Sequence, residues 1–261
     1  MRRSRAALAL IAGSAAVAAG VLARQVWHTI HRPDLPSFTN QDISGSWGER
    51  SLPPLNIVAV GDSSLTAPGL DDLDDAWLRR LARQYAGRHR VELTSLGVGG
   101  SRAADVVSGT LGAAAGLGAD VAVVSVGGND VIRAVPLRRF SRALETIIDR
   151  LEASSGAVLL VGVGDLGAIR RLPPLLRPLL TARSARFDRE CSRLAAGRRH
   201  LVKAEGRPPQ DAARHGAPEM FAADQFHASA AGHARYAEVI APFFAEACRR
   251  ALVARSAPER S

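Results

Sequence analysis

The chain has 261 residues, 47% of them apolar, which suits one packed α/β domain of about 200 residues plus a terminal appendage and gives no sign of disorder. Its formal charge of +9 raises the question of nucleic acid, but basic residues are scattered, Lys203 is the only lysine among 34 basic positions, and aromatic content is 5% with no basic run interleaved with aromatics. That pattern speaks against a nucleic-acid partner and fits attraction to an anionic lipid or acidic envelope surface better.

Taken from the N-terminus, Met1-Arg2-Arg3-Ser4-Arg5 precedes an uncharged stretch from Ala6 to Ala23 that closes at Arg24. As a helix this stretch would span about 27 Å, slightly less than a hydrocarbon core of about 30 Å. Arginines before an apolar run form the leading part of an export signal. Ala16-Val17-Ala18 offers a small-residue cleavage site, whereas Trp27 beyond Arg24 suits the interfacial flank of a retained anchor. Residues 1–24 are therefore expected to be an export signal or membrane anchor, the membrane contact of this chain, with the domain outside the cytoplasm. Residues 25–54, with Pro33, Pro36, Pro53 and Pro54, read as a linker. The domain proper is expected over residues 55–254, followed by a tail over 255–261.

Within the domain, apolar β-rich runs alternate with helical patterns. Strands are predicted at Leu55–Val60, Val91–Leu96, Ala119–Val126, Ala157–Gly162 and His200–Ala204, and helices at Asp75–Gly87, Ala103–Gly112, Pro136–Ala153, Arg183–Ala196 and Ser229–Ala254. Such alternation implies an α/β fold, a parallel sheet between two helical layers, and five strands suit a flavodoxin-like order 2-1-3-4-5. In that topology Cys191 and Cys248 sit on helices flanking opposite faces, about 20 Å apart, so both are expected to be free thiols.

The chemistry-bearing residues follow the strands. Ser63, in Gly61-Asp62-Ser63-Ser64, comes directly after the first strand, at the sheet edge where open α/β sheets bind ligands. A serine hydroxyl needs a base, and His227 is the best supported of the seven histidines because Asp224 lies three residues earlier, on the same face if the segment is a helical turn. Gly100, after the second strand, lets the backbone approach a ligand, and Asn129, after the third, offers two uncharged donors. The backbone N–H groups of Ser63 and Gly100 and the amide of Asn129 are thus candidate oxyanion donors. Asp62 reads as an orienting residue of the turn. His28, His31, His89, His200, His215 and His233 show no metal-ligand spacing.

Three other segments compete for attention. Gly162-Val163-Gly164-Asp165-Leu166-Gly167 matches a dinucleotide fingerprint, but Pro173, Pro174 and Pro178 follow closely and it comes after the fourth strand, so a loop at the cleft is expected instead. Asp71-Asp72-Leu73-Asp74-Asp75 reads as the acidic start of a helix, not a cation site. Leu172, Leu175, Leu176, Leu179 and Leu180, interrupted by proline, read either as an apolar flap beside the cleft, favouring medium acyl chains or lipid contact, or as local packing against the sheet edge.

In order and spacing, the Ser63, Gly100, Asn129 and Asp224–His227 blocks resemble the SGNH, or GDSL-type, serine hydrolases. The resemblance runs from about Leu55 to about Phe244 and includes Ser229 and Gly232 beyond the histidine; Ser64 replaces the Leu of the family's older name, and Ser95 stands where many members carry Asn. It implies the three-layer αβα sandwich, a triad of Ser63, Asp224 and His227, and a carboxylic esterase or lipase-like activity on small-molecule, lipid or glycan esters without cofactor or metal. Acyl transfer on the same triad, or a noncatalytic envelope-binding module on this scaffold, are the alternatives.

Overall fold

Alternate residues along the strands face opposite helical layers, and this alternation organises the whole molecule. The computed structural model describes residues 17–27, 35–204 and 217–256. Strand β1 (Gly45–Trp47) is followed by β2 (Pro54–Gly61), β3 (Arg90–Ser95), β4 (Val121–Ser125), β5 (Ala157–Val161) and β6 (Leu201–Ala204) in one six-stranded sheet of order β1-β3-β2-β4-β5-β6. From β2 to β6 all neighbours are parallel, and β4 and β5 are buried at every position, which is why they read as unbroken apolar runs. Without β1, the order is the expected 2-1-3-4-5.

The sixth strand is a correction. Gly45–Trp47 pairs antiparallel with β3, Gly45 opposite Leu93 and Trp47 opposite Val91, within the segment read as linker. Ile43 just before it is fully buried, and the Gln41 side chain donates to the carbonyls of Ala67 and Leu70. A strand of only three residues carries too little alternation to be visible in sequence, and its position on the sheet edge is set by β3.

The helices are α1 (described over residues 17–27), α2 (Trp77–Arg83), α3 (Ala103–Ser108), α4 (Leu111–Gly116), α5 (Gly128–Ile132), α6 (Leu137–Glu152), α7 (Arg177–Ala195) and α8 (Ala230–Ser256). Trp77, Leu78 and Leu81 of α2 and Ile240, Phe244 and Cys248 of α8 pack with Ile57, Leu93 and Val123 on one face of the sheet. Phe140 and Leu144 of α6 and Phe187 and Cys191 of α7 pack with Val60 and Val124 on the other. The two thiols are therefore buried, unpaired and on opposite faces, as the strand order requires.

The helix predicted from Arg183 begins at Arg177, because Pro178 falls in the first turn, where a missing N–H removes no helical hydrogen bond. The helix predicted over Ala103–Gly112 ends at Ser108, with Gly109 capping α3. The expected signal or anchor over residues 1–24 lies outside the described residues up to residue 16; residues 17–27 are helical, and no helix among the described residues is long and apolar enough to cross a membrane.

Candidate active site

The site lies at the C-terminal ends of β2, β4 and β5. Strand β2 ends at Gly61, where a Cβ would stand 1.8 Å from the Ser125 carbonyl oxygen, so the chain can turn this close to β4 only without a side chain. Asp62 follows, buried, its Oδ1 accepting the Ser64 N–H at 3.0 Å and capping a 3-10 turn over Ser63–Leu65. This holds Ser63 at the sheet edge. Ser64 Oγ lies 2.7 Å from Ser125 Oγ, and Trp77 Nε1 donates to the Ser64 carbonyl at 2.8 Å, so the residue after the serine is fixed from both sides. Ser95, which replaces the more usual Asn, donates from its hydroxyl to the Leu65 carbonyl.

The second and third blocks are tied to each other. Gly100 adopts φ +80°, a left-handed conformation that glycine tolerates without cost. Asn129, in α5, donates from Nδ2 to the Ser101 carbonyl at 3.2 Å, and Asp130 Oδ2 accepts the Ala103 N–H at 2.9 Å. Asp130 thus anchors the start of α3 instead of capping its own helix. Burial pushes the Asp130 carboxyl up to about 6, and it also raises Asp62, whose charge adds to the effect at Asp130.

The fourth block is a turn and not the helical turn expected, with Gln225 at φ +58°. Asp224 Oδ1 accepts the N–H groups of Phe226 and His227, each at 3.0 Å, and Oδ2 meets His227 Nδ1 at 2.6 Å. Burial alone would raise the Asp224 carboxyl, but these bonds outweigh it and hold it below the usual carboxylate range. With Nδ1–H donated to the carboxylate, the free lone pair of His227 sits on Nε2.

Ser63, Asn129 and His227 line one cavity of about 250 Å³. Asp224 stands behind His227, and Gly100 lies beyond the cavity lining, beside the Arg133 guanidinium, which comes within 3.4 Å of where a Gly100 Cβ would be. Ile132, Val163, Leu166, Ile169 and Phe226 form an apolar wall. Gly162, Val163 and Gly164 lie in that wall, as the loop reading of the glycine-rich segment requires, and Asp188 accepts the Val163 N–H at 3.1 Å.

The apolar flap is not formed. Leu172, Leu176 and Leu180 pack inward, Leu176 and Leu180 one turn apart at the start of α7, while Leu175 and Leu179 are 54% and 62% exposed and none of the five lines the cavity. The prolines that suggested a broken segment sit in the 3-10 turn Pro174–Leu176 and the first turn of α7, leaving the helical stripe intact. In the acidic segment, Asp72 caps the 3-10 turn Leu73–Asp75 and Asp74 pairs with Arg79 and Arg83.

Sequence reasoning passed over His233 and Tyr236, both of which line the cavity. His233 Nδ1 accepts the Trp77 N–H at 3.3 Å, and burial lowers its ring to about 4. Tyr236 packs edge-on to Trp77, with ring centroids 5.3 Å apart, and its hydroxyl bonds to Ser125. Their spacing from His227 carries no recognisable pattern; only their place on the cavity-facing first turns of α8 reveals them.

The GDSL-like lipase/acylhydrolase family model matches residues 59–235. The GDSL-like esterase Rv1075c of Mycobacterium tuberculosis is 30% identical over 204 residues, 71% of this chain and 60% of that protein. The chain therefore spans about 60% of the length of that relative. Among solved structures, TesA superposes with a TM-score of 0.59 at 24% identity, covering 74% of this chain and 99% of that one. An acetylxylan esterase, Axe2, from Geobacillus stearothermophilus superposes with a TM-score of 0.56 at 15% identity, covering 75% of this chain and 96% of that one. At these identities the superpositions establish the shared fold.

Proposed function

The chain belongs to the GDSL-like lipase/acylhydrolase family, and we propose that it hydrolyses carboxylic esters through an acyl-enzyme on Ser63. The observation that carries this reading is the 2.6 Å Asp224–His227 pair, with the histidine and Ser63 lining the same cavity. His227 Nε2 takes the Ser63 proton as Oγ attacks the ester carbonyl, and Asp224 stabilises the imidazolium that forms. The oxyanion is met by the Ser63 N–H and by Asn129 Nδ2, whose second hydrogen remains after the bond to Ser101, while Gly100, expected as a third donor, lies beyond the cavity lining. The imidazolium returns its proton to the departing alcohol, and water repeats the sequence in reverse to release the acid.

This route calls for no metal, because charge development is met by N–H donors and a histidine. The apolar wall and a cavity of about 250 Å³ favour a short acyl chain. The Axe2 neighbour is named for acting on acetylated xylan, which fits the same acyl size. The arginine-flanked apolar N-terminus supports action outside the cytoplasm. A panel of p-nitrophenyl esters from acetyl to palmitoyl, with and without EDTA, tests these points together. We expect the highest kcat/KM at the short end and no effect of EDTA; a maximum at palmitoyl or loss of activity in EDTA contradicts the corresponding point.

A further inference from the structure

One wall of the cavity has no task in the triad chemistry. His233, on the first turn of α8, lines the cavity although only 4% of the residue is exposed. Its Nδ1 accepts the Trp77 N–H, so the neutral ring carries its proton on Nε2. No group among the described residues accepts a bond from that Nε2–H, and the atom is not sealed away from the cavity. Burial keeps the ring uncharged at neutral pH, with Arg80 and His227 adding to the effect. A donor fixed in one tautomer, on a ring that lines the cavity and left without a protein acceptor among the described residues, is a recognition group for a ligand oxygen.

The direction of the chemistry says which half of an ester it meets. The departing alcohol oxygen must lie within reach of His227, which protonates it, while the carbonyl oxygen lies toward Ser63 and Asn129. His227 and His233 line the same cavity, and His233 is close enough to His227 to feel its charge, so an alcohol half held at His227 lies within reach of His233. No Lys or Arg among the described residues lines the cavity, and the buried Asp62 carboxyl does, which disfavours an anionic alcohol. Tyr236, near His233 and only partly buried, supplies apolar ring surface that can pack against C–H groups.

We propose that His233 Nε2–H binds an oxygen on the alcohol half of the substrate, and that the substrate is an ester of an uncharged polyol of the glycerol or sugar kind. This rests on the esterase reading above and names the substrate class of the same site.

The test compares 1-acetylglycerol with propyl acetate, which shares the acyl group and the three-carbon alcohol but lacks the hydroxyls. His233→Asn places an amide oxygen where Nδ1 accepts the Trp77 N–H and removes the Nε2 donor. The preference for acetylglycerol over propyl acetate, as a ratio of kcat/KM, should fall about tenfold, the value of one hydrogen bond of this kind. His233→Gln, whose amide N–H reaches toward the Nε2 position, should recover part of the preference. An unchanged ratio in His233→Asn overturns the proposal. A second readout does not depend on turnover: in ¹⁵N-histidine-labelled Ser63→Ala protein, acetylglycerol should shift the His233 Nε2 resonance, and no shift at saturating ligand also overturns it. If the parent protein hydrolyses neither ester, the esterase reading fails by itself while this titration still decides the binding claim.

Discussion

Asp224 shows how three short bonds decide a residue's role. A buried carboxylate resists ionisation, yet two backbone N–H groups and the His227 ring hold this one charged and aim it at Nδ1. Asp224→Ala should therefore slow ester turnover by about 10²–10⁴-fold, less than Ser63→Ala or His227→Ala, which should abolish it. Asn129→Ala should cost about 10²–10³-fold in kcat with a smaller change in KM, the pattern of a donor used in the transition state. Steady-state kinetics on p-nitrophenyl acetate checks both. Asp130 makes a different prediction. Its folded pKa of about 6 lies above that of an unfolded aspartate, so the stability it contributes is full at pH near 4 and is lost as pH rises through about 6. Asp130→Asn keeps an acceptor for the Ala103 N–H without the charge. It should match the parent's stability below pH 4 and exceed it at pH 8 by about 3 kcal/mol, measured by denaturant unfolding. Equal stability at both pH values would contradict the burial argument. Ser63, Asn129 and the Asp224–His227 pair were legible because each follows a strand or a turn signal that sequence carries. His233 was not, since its significance lies in which way a turn of α8 faces.

At the scale of elements, periodicity revealed what periodicity builds. The five parallel strands and the long helices appear within a few residues of their expected places, because buried runs and helical stripes repeat over many positions. Edge strand β1 and the start of α7 escaped for local reasons: one is three residues long, and the other begins through prolines that cost nothing in a first turn. Both corrections predict. Ile43→Ala, beside β1 and fully buried, should destabilise the domain by about 2–4 kcal/mol in denaturant unfolding, whereas a mere linker residue would cost almost nothing. Leu175→Ser with Leu179→Ser should leave the acyl-length profile unchanged, since both side chains face solvent away from the cavity. Leu180→Ala, on the inward stripe, should lower stability without altering that profile.

Across the whole molecule, the two sheet faces keep Cys191 and Cys248 apart, and burial pushes both thiols up to about 12. Thiol titration should count two in denaturant without reductant and react slowly in the native protein; a Cys191–Cys248 link found by mass spectrometry would contradict the topology. Action outside the cytoplasm, proposed above, requires that protease added to intact cells or spheroplasts reach the domain; complete protection, with an accessible control protein degraded, would contradict it. The proposed chemistry depends first on Ser63 being the nucleophile of this cavity. Its most direct test is reaction of the purified chain with a fluorophosphonate, followed by peptide mapping. One adduct per chain is expected, on Ser63, and it should be lost in His227→Ala. An unmodified Ser63 in folded protein, or an adduct on another serine that persists in Ser63→Ala, would contradict it.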